Sequence, residues 1–528
     1  MGTEEILEKI SLLDCTLRDG GYYTAWDFSD SAVTTYLEAV ARLPIDSVEL
    51  GYCSTPKSEY MGKYRFLTPR TTEWAKSILA SGQRLGMMLD EKSTSPQDLP
   101  RLVQGHAGVV DFVRIAVSPS RITRASDLAI GLKETGFDVG INIMHLSGYW
   151  SQVEALDGLE RAAQAANTFS LVDSYGACTP GQVGEAVRAM KERLPAASIG
   201  FHGHDNLELA FANSLSAARA GASIIDGTMT GMGRGPGNTK TELLLVLQAA
   251  SRAGRLDYEV VQQATAVFAG LRDEYRWGTN LAYMISGASG LPQNDVMEWL
   301  GKNRYSVTAI IQALHGDRID NIEIAQFSEL KSSTENDPEV FVLGGGATVA
   351  EHADAIIDYA DATGAVIVHA NYHHLDLVPR FAGTQYLCIA GDSAGRLPAP
   401  PQLAKVTGLI VPDGPRFRGT TPQSDTPIVQ VRPFRANAVE TKLGPVSDAG
   451  PLSLALGSAI AIKASAVTLL GFDGYKNASS AQQELAREIQ EMIGAFATRH
   501  PRIPITSATK TMYSMPTSSV YSRITGLN

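Results

Sequence analysis

The stretch ASIGFHGHDN, residues 197–206, is a short apolar run that ends in His202, His204, Asp205 and Asn206. Seven other runs between residues 10 and 233 have the same form: ISLLDCTL (10–17), IDSVELGY (45–52), RLGMMLD (84–90), VVDFVRIAV (109–117), DVGINIMHL (138–146), TFSLVDSYG (168–176) and ASIIDGTMTGMG (222–233). Each reads as a strand that finishes in polar residues or glycine. Between them lie segments with apolar residues at helical spacing, such as DSAVTTYLEAVARL (30–43) and LELAFANSLSAARAG (207–221). Eight β/α units in about 225 residues predict a (β/α)8 TIM barrel, with its chemistry at the carboxyl ends of the strands.

Residues 243–330 read as a helical extension packed on the barrel, so the barrel domain is expected over 1–242. The polar SELKSSTENDPE (328–339) predicts a linker over 331–338. Residues 339–528 follow as strand, glycine turn, helix and further strands, which predicts a second, open α/β domain of Rossmann-like class.

A net charge of −11 argues against a nucleic-acid or anionic-membrane surface and leaves small molecules as the expected partners. The four cysteines show no CxxC spacing, and no apolar run approaches a bilayer-spanning length. A cytoplasmic protein is the expectation.

His202 and His204 lie two apart on a strand, so both rings leave the same face at the barrel mouth. Two such imidazoles suit one metal ion, although a hydrogen-bonded polar pair has the same spacing. LLDCTLRDGGYY (12–23) brings Asp19 to the top of strand 1, two strands away around the barrel. Two imidazoles and a carboxylate describe a site for Mn²⁺, Mg²⁺, Co²⁺ or Zn²⁺. Arg18 adds a fixed cationic donor for an anionic oxygen there, and Asn238, in GMGRGPGN, offers an amide as a further ligand or orienting group.

LLDCTLRDG, FHGHDNLELAFANSLSAARAGA, IDGTMTGMGRGPGN and VDSYGACTP together resemble the DRE-TIM metallolyase superfamily, also called HMG-CoA lyase-like, and most closely its 4-hydroxy-2-oxovalerate aldolase branch. The resemblance spans roughly residues 8–315. It implies a lyase that forms or cleaves 4-hydroxy-2-oxo acids from pyruvate and an aldehyde. Arg18 then stabilises the enolate, Asp19, His202 and His204 hold the metal, Asn238 completes or supports that site, and Asp14 and Glu49 orient Arg18. The resemblance also implies a homo-oligomer.

Two departures stand out. The acyl-CoA-condensing members carry GxGERxGN where this chain has GMGRGPGN, which favours the aldolase over a Claisen synthase or lyase. A catalytic histidine of the aldolases falls at Tyr22, so Tyr22, Tyr23 and His145 become the candidate proton carriers. A further aldolase tyrosine maps near Tyr275 or Tyr283. The third reading is a barrel that binds metal as a scaffold without turnover.

In the second domain, LGGGATVAE (343–351) makes Gly344, Gly345 and Gly346 candidates for an anion-binding turn, with Asp392 and Asp473 near a polar ligand. The domain resembles open α/β proteins of glycan or pterin metabolism, some of which handle nucleotides or nucleotide sugars. That resemblance suggests a sugar aldehyde as acceptor, for glycan biosynthesis.

Overall fold

Eight parallel strands close into a barrel in the computed structural model: β1 (Ser11–Asp14), β2 (Ser47–Tyr52), β3 (Arg84–Asp90), β4 (Phe112–Val117), β5 (Asp138–Ile143), β6 (Thr168–Asp173), β7 (Ser198–Gly203) and β8 (Ile224–Gly227). The structure describes residues 10–525 apart from 58–59, 253–255, 302–309, 312–321, 324, 333–336, 391–393, 395–396, 398, 418–420, 437–449 and 476–479. Asp392 and the middle of the expected linker therefore lie outside the described residues.

Each strand coincides with one of the eight apolar runs, and β8 pairs with β1 to close the ring. The helices between them start and stop where local chemistry directs. Pro180–Arg193 opens on a capping box, with Thr179 and Gln182 each satisfying the other's backbone amide, and proline occupies the first turn. Ala210–Ala220 ends at Gly221, whose φ of 106° lies in the left-handed region that glycine adopts without steric cost. Further helices, Thr241–Arg252, Tyr258–Tyr275, Leu281–Ala288 and Gln293–Gly301, follow the barrel strands along the chain. No described helix is long and apolar enough to cross a membrane.

Contacts divide the chain into two compact units, Met1–Val296 and Met297–Asn528. The second unit holds an eight-stranded, all-parallel sheet built from β9 (Ser328–Glu329), β10 (Glu339–Leu343), β11 (Val366–His369), β12 (Gln385–Cys388), β13 (Gly408–Pro412), β14 (Ile428–Val431), β15 (Ala466–Leu470) and β16 (Ile505–Ser507). Its order is β9-β14-β13-β12-β11-β10-β15-β16, so the chain runs outward from β10 and then crosses back to its other side. Helix Pro451–Ile462, the crossover, is apolar nearly all round and buried against the sheet.

His369, at the end of β11, is 1% exposed and its Nε2 lies 3.1 Å from Gln385 Oε1. Burial pushes this imidazole down to about 4. The unfolded chain takes up a proton near 6.5 and the folded unit only near 4, so stability is lost as pH falls between those values. The loss approaches about 3 kcal/mol. Melting curves at pH 7, 5.5 and 4.5 should show the falling transition, and His369→Gln should flatten it; an unchanged slope in that variant rules the cause out.

Candidate metal centre at the barrel mouth

Helix Thr16–Thr24 begins one residue after β1, which brings Arg18 and Asp19 over the barrel opening, both buried. Asp14 sets that start. Its carboxylate accepts from Thr16 N at 2.9 Å and Thr16 Oγ1 at 2.6 Å, from Tyr36 Oη at 2.5 Å and from Thr241 Oγ1 at 2.6 Å. Burial still raises its carboxyl above the usual range. Asp14 makes no described hydrogen bond or ion pair with Arg18; its contacts tie the first turn of the helix that bears Arg18 to Tyr36 and to Thr241, beyond β8.

Glu49 does hold Arg18. Arg18 Nε donates to Glu49 Oε2 at 2.8 Å and Nη1 to Asp19 Oδ1 at 2.6 Å. Glu49 in turn accepts two bonds from Arg114, at 2.8 and 2.7 Å, and Arg114 Nη1 donates to Asp226 Oδ2 at 2.7 Å. That oxygen lies 3.0 Å from His202 Nδ1, and His202 Nε2 lies 3.6 Å from Asp19 Oδ2. Arg18, Glu49, Arg114, Asp226, His202 and Asp19 thus form a closed buried ring in which each carboxylate is bridged by nitrogen-bearing side chains on both sides. Burial opposes ionisation of Asp19, but Arg18 and then His202 hold its carboxyl well below the usual range. Burial likewise opposes the Glu49 and Asp226 carboxylates, and Arg114 first, joined by Arg18 at Glu49 and by His202 at Asp226, brings both below the usual range.

His204 Nδ1 lies 2.9 Å from the Asp173 carbonyl, which turns Nε2 toward Asp19 Oδ2, 3.8 Å away. Burial, with His202 beside it, pushes this imidazole down to about 3, so the ring is neutral and its lone pair is available. The donor atoms of Asp19, His202 and His204 lie within 4.8 Å of one another. Both Nε2 atoms and Asn238 Oδ1 are buried without a hydrogen-bond partner, while Asn238 Nδ2 donates to Asp19 Oδ2. Gly233 closes the cradle: a Cβ there would stand 2.8 Å from Asp19 Oδ2 and 2.5 Å from Asn238 Nδ2. Orphaned donors aimed at one small space, with a neutral imidazole and an ionised carboxylate among them, fit a divalent cation.

Cys15, His202 and Asp226 form a second grouping, with Cys15 Sγ 3.9 Å from His202 Nδ1. His202 Nδ1 is already committed to Asp226, and burial raises the Cys15 thiol, which donates to the Gly227 carbonyl. This cluster packs beneath the site and offers no ligand set.

The remaining expected residues lie outside the ring. Tyr22 is half-buried with Oη 3.5 Å from Tyr52 Oη. His145 follows β5 with φ 66°, stacks on Tyr175 at 5.1 Å and leaves Nδ1 without a partner. Tyr23 Oη donates to the Gly235 carbonyl at 2.6 Å, and Tyr283, hydrogen-bonded to Tyr23, is raised by burial far above the usual phenol range. Tyr275 packs against Tyr23, ring to ring at 5.8 Å, and hydrogen-bonds Glu274. Gly344, Gly345 and Gly346 belong to the other unit, after β10. There Thr348 N and Oγ1 both donate to Asp473, at 3.1 and 2.5 Å, and a Cβ on Gly346 would meet the Asp473 carboxyl carbon at 2.4 Å. Close packing therefore requires glycine at 346, and a side-chain carboxylate already occupies the anion position of that turn.

Arg114, Asp226 and Asp173 were not anticipated. The available signal is a lone charge inside an apolar strand, FVRIAV for Arg114 and IIDG for Asp226, because an unpaired charge is not tolerated there.

Barrel, mouth and donor set together define a TIM barrel whose mouth holds a site that fits a divalent cation. The HMGL-like family matches residues 9–267. The 4-hydroxy-2-oxovalerate aldolase of Geobacillus thermodenitrificans is 32% identical over 247 residues, 45% of this chain and 69% of that protein. The enzyme of the same name from Pelotomaculum thermopropionicum is 32% identical over 269 residues, 49% of this chain and 76% of that protein. The crystal structure of the N-terminal domain of a presumptive aldolase from Bacteroides vulgatus superposes with a TM-score of 0.52 at 42% identity, covering 58% of this chain and all of that one. The chain belongs to the HMGL-like family, and its barrel is that of a divalent-metal-dependent aldolase family.

Proposed function

We propose that this protein is an aldolase that forms or cleaves 4-hydroxy-2-oxo acids through the enolate of pyruvate, with an aldehyde as second substrate. The observation that carries the reading is the Asp19, His202 and His204 triad with its orphaned Nε2 atoms, set one residue from Arg18.

Asp19, His202 and His204 would hold the ion, with Asn238 as a further ligand or as the group that orients Asp19. The all-oxygen-and-nitrogen donor set favours Mn²⁺ or Mg²⁺ and admits Co²⁺ or Zn²⁺. When bound, the ion supplies Lewis-acid activation of the 2-oxo acid and so eases loss of a methyl proton.

The chain's own groups do the rest. Arg18 commits Nε to Glu49 and Nη1 to Asp19, which leaves Nη2 without a partner among the described residues. That donor faces no reorganisation when the keto oxygen gains charge, so its bond is strongest in the transition state. Burial, then the nearby Arg234, lowers the His145 imidazole. It is therefore neutral near pH 7 and able to accept a proton, with Tyr22 as the alternative carrier. The enolate carbon then attacks the aldehyde, and the same atoms run the cleavage in reverse.

The sugar aldehyde and glycan role rest on the second domain alone. The anion position of its glycine turn is filled by Asp473, so a nucleotide sugar would have to bind elsewhere on that sheet.

Deuterium exchange into the pyruvate methyl group, followed by proton NMR with Mn²⁺ or Mg²⁺, tests the reading without knowledge of the aldehyde. Exchange should appear with metal and vanish with chelator. Its absence across all four metals would sink the pyruvate enolate.

A further inference from the structure

Arg65 is a guanidinium with 6% exposure and no carboxylate or side-chain hydrogen-bond partner among the described residues. Elsewhere in the same barrel, Arg18 and Arg114 at comparable burial are each held by two carboxylates. Arg65 instead lies over aromatic faces, its Cζ 4.0 Å from the Tyr52 ring and 4.8 Å from the Trp26 ring. Cation–π contact offsets part of the cost of burying that charge, but leaves its donors open.

A second guanidinium without a carboxylate partner among the described residues stands over the neighbouring Tyr22 ring. Arg234 lies in the loop after β8, next to Gly233, the residue in van der Waals reach of Asp19 and Asn238. Its Cζ is 5.2 Å from the Tyr22 ring, its Nε donates to Asn294 Oδ1, and no carboxylate pairs with it among the described residues. Tyr22 and Tyr52 connect the two sites, with Oη atoms 3.5 Å apart and Trp26 edge-on to both rings, at 4.9 and 5.7 Å. All of these residues come from the strand ends of β1, β2 and β8, the side of the barrel that carries Arg18 and Asp19. His145 and Tyr175, from β5 and β6, lie close enough to Arg234 to feel its charge.

Two guanidiniums without a carboxylate partner among the described residues, beside a site that already fits a divalent cation, form a local surplus of positive charge in a chain of net charge −11. Such a surplus is stable when an anion arrives with the substrate. Arg18 and the donor triad already account for the 2-oxo acid, so that anion belongs to the other reactant.

We propose that Arg65 and Arg234, flanking Tyr22 and Tyr52, receive an anionic group on the acceptor aldehyde, which makes the natural acceptor a phosphorylated or carboxylated aldehyde. This rests on the aldolase reading above and names the substrate class it left open. The guanidiniums determine specificity by positioning the acceptor; they touch no reacting atom.

The test compares paired aldehydes that differ in the anion: glyceraldehyde 3-phosphate with glyceraldehyde for phosphate, and succinic semialdehyde with butyraldehyde for carboxylate. In the intact chain, kcat/KM for one anionic member should exceed that of its neutral partner at least tenfold. Arg234→Ala should erase most of that ratio through KM, and Arg65→Met, which keeps the stacked volume, should do the same while Arg65→Lys retains part of it. If product does not accumulate, the concentration of each aldehyde that halves pyruvate exchange reads the same ratio. No anionic preference in either pair, or equal loss of both members in the variants, overturns the receptor. Intact pyruvate exchange alongside that result leaves the aldolase standing, whereas absent exchange removes both.

Discussion

Arg18→Ala should lower metal-dependent exchange of the pyruvate methyl protons by about 10²- to 10³-fold, the usual cost of deleting one preorganised oxyanion donor. The fold should survive, because Glu49 keeps both of its bonds from Arg114 when Arg18 is gone. Asp19 is affected more. Arg18 is the chief partner that overcomes burial there, so its carboxyl moves upward in the variant and metal affinity weakens first at acidic pH. Two readouts separate these effects. Mn²⁺ affinity at pH 8, followed by electron paramagnetic resonance, should stay within about tenfold while exchange falls at saturating metal. Arg18→Lys should recover only part of the rate, since a single ammonium cannot span Glu49 and Asp19 as the planar fork does. Wild-type exchange in Arg18→Ala would remove it as the enolate stabiliser, and lost Mn²⁺ binding at pH 8 would reassign it to organising the ligands.

The parts of this molecule that are local in sequence were legible in it. HGH on one strand face and RD at the start of a helix each need only a few consecutive residues, and the structure brings their donor atoms within 4.8 Å. The eight strands were legible for the same reason, since each is a single apolar run. Arg114 escaped notice because its partners, Glu49 and Asp226, lie 65 and 112 residues away, and nothing beside FVRIAV names them. Asp14 shows the same limit. Four residues from Arg18, it invites pairing, but its described partners beyond Thr16 are Tyr36 and Thr241, the second 227 residues away. The glycines at 344–346 show the same limit. A glycine-rich turn reads as a candidate anion-binding turn until Asp473, more than a hundred residues on, is seen to accept from Thr348 there.

Arg114→Leu should destabilise the barrel by about 3–5 kcal/mol, because it strands two buried carboxylates at once. Glu49 would keep only its bond from Arg18, and Asp226 only its contact with His202. In the native chain Arg114 is what lets both carboxyls titrate below their usual range despite burial, so their stabilisation is present above the unfolded values near 4 and is lost as pH falls. In the variant burial wins, both carboxyls move above those values, and the folded state is penalised as pH rises instead. The gap in melting temperature between native and variant chains should therefore narrow from pH 8 to pH 5. A gap that is small, or that keeps its width across that range, would mean that Arg114 is not the counter-charge of the ring. The same substitution also reaches the metal site, for Asp226 with no cation behind it binds His202 as a neutral acid and no longer fixes which ring nitrogen faces Asp19. Asp226→Asn in the Arg114→Leu background separates the two consequences: it removes one stranded charge and should recover part of the stability, while metal affinity stays reduced.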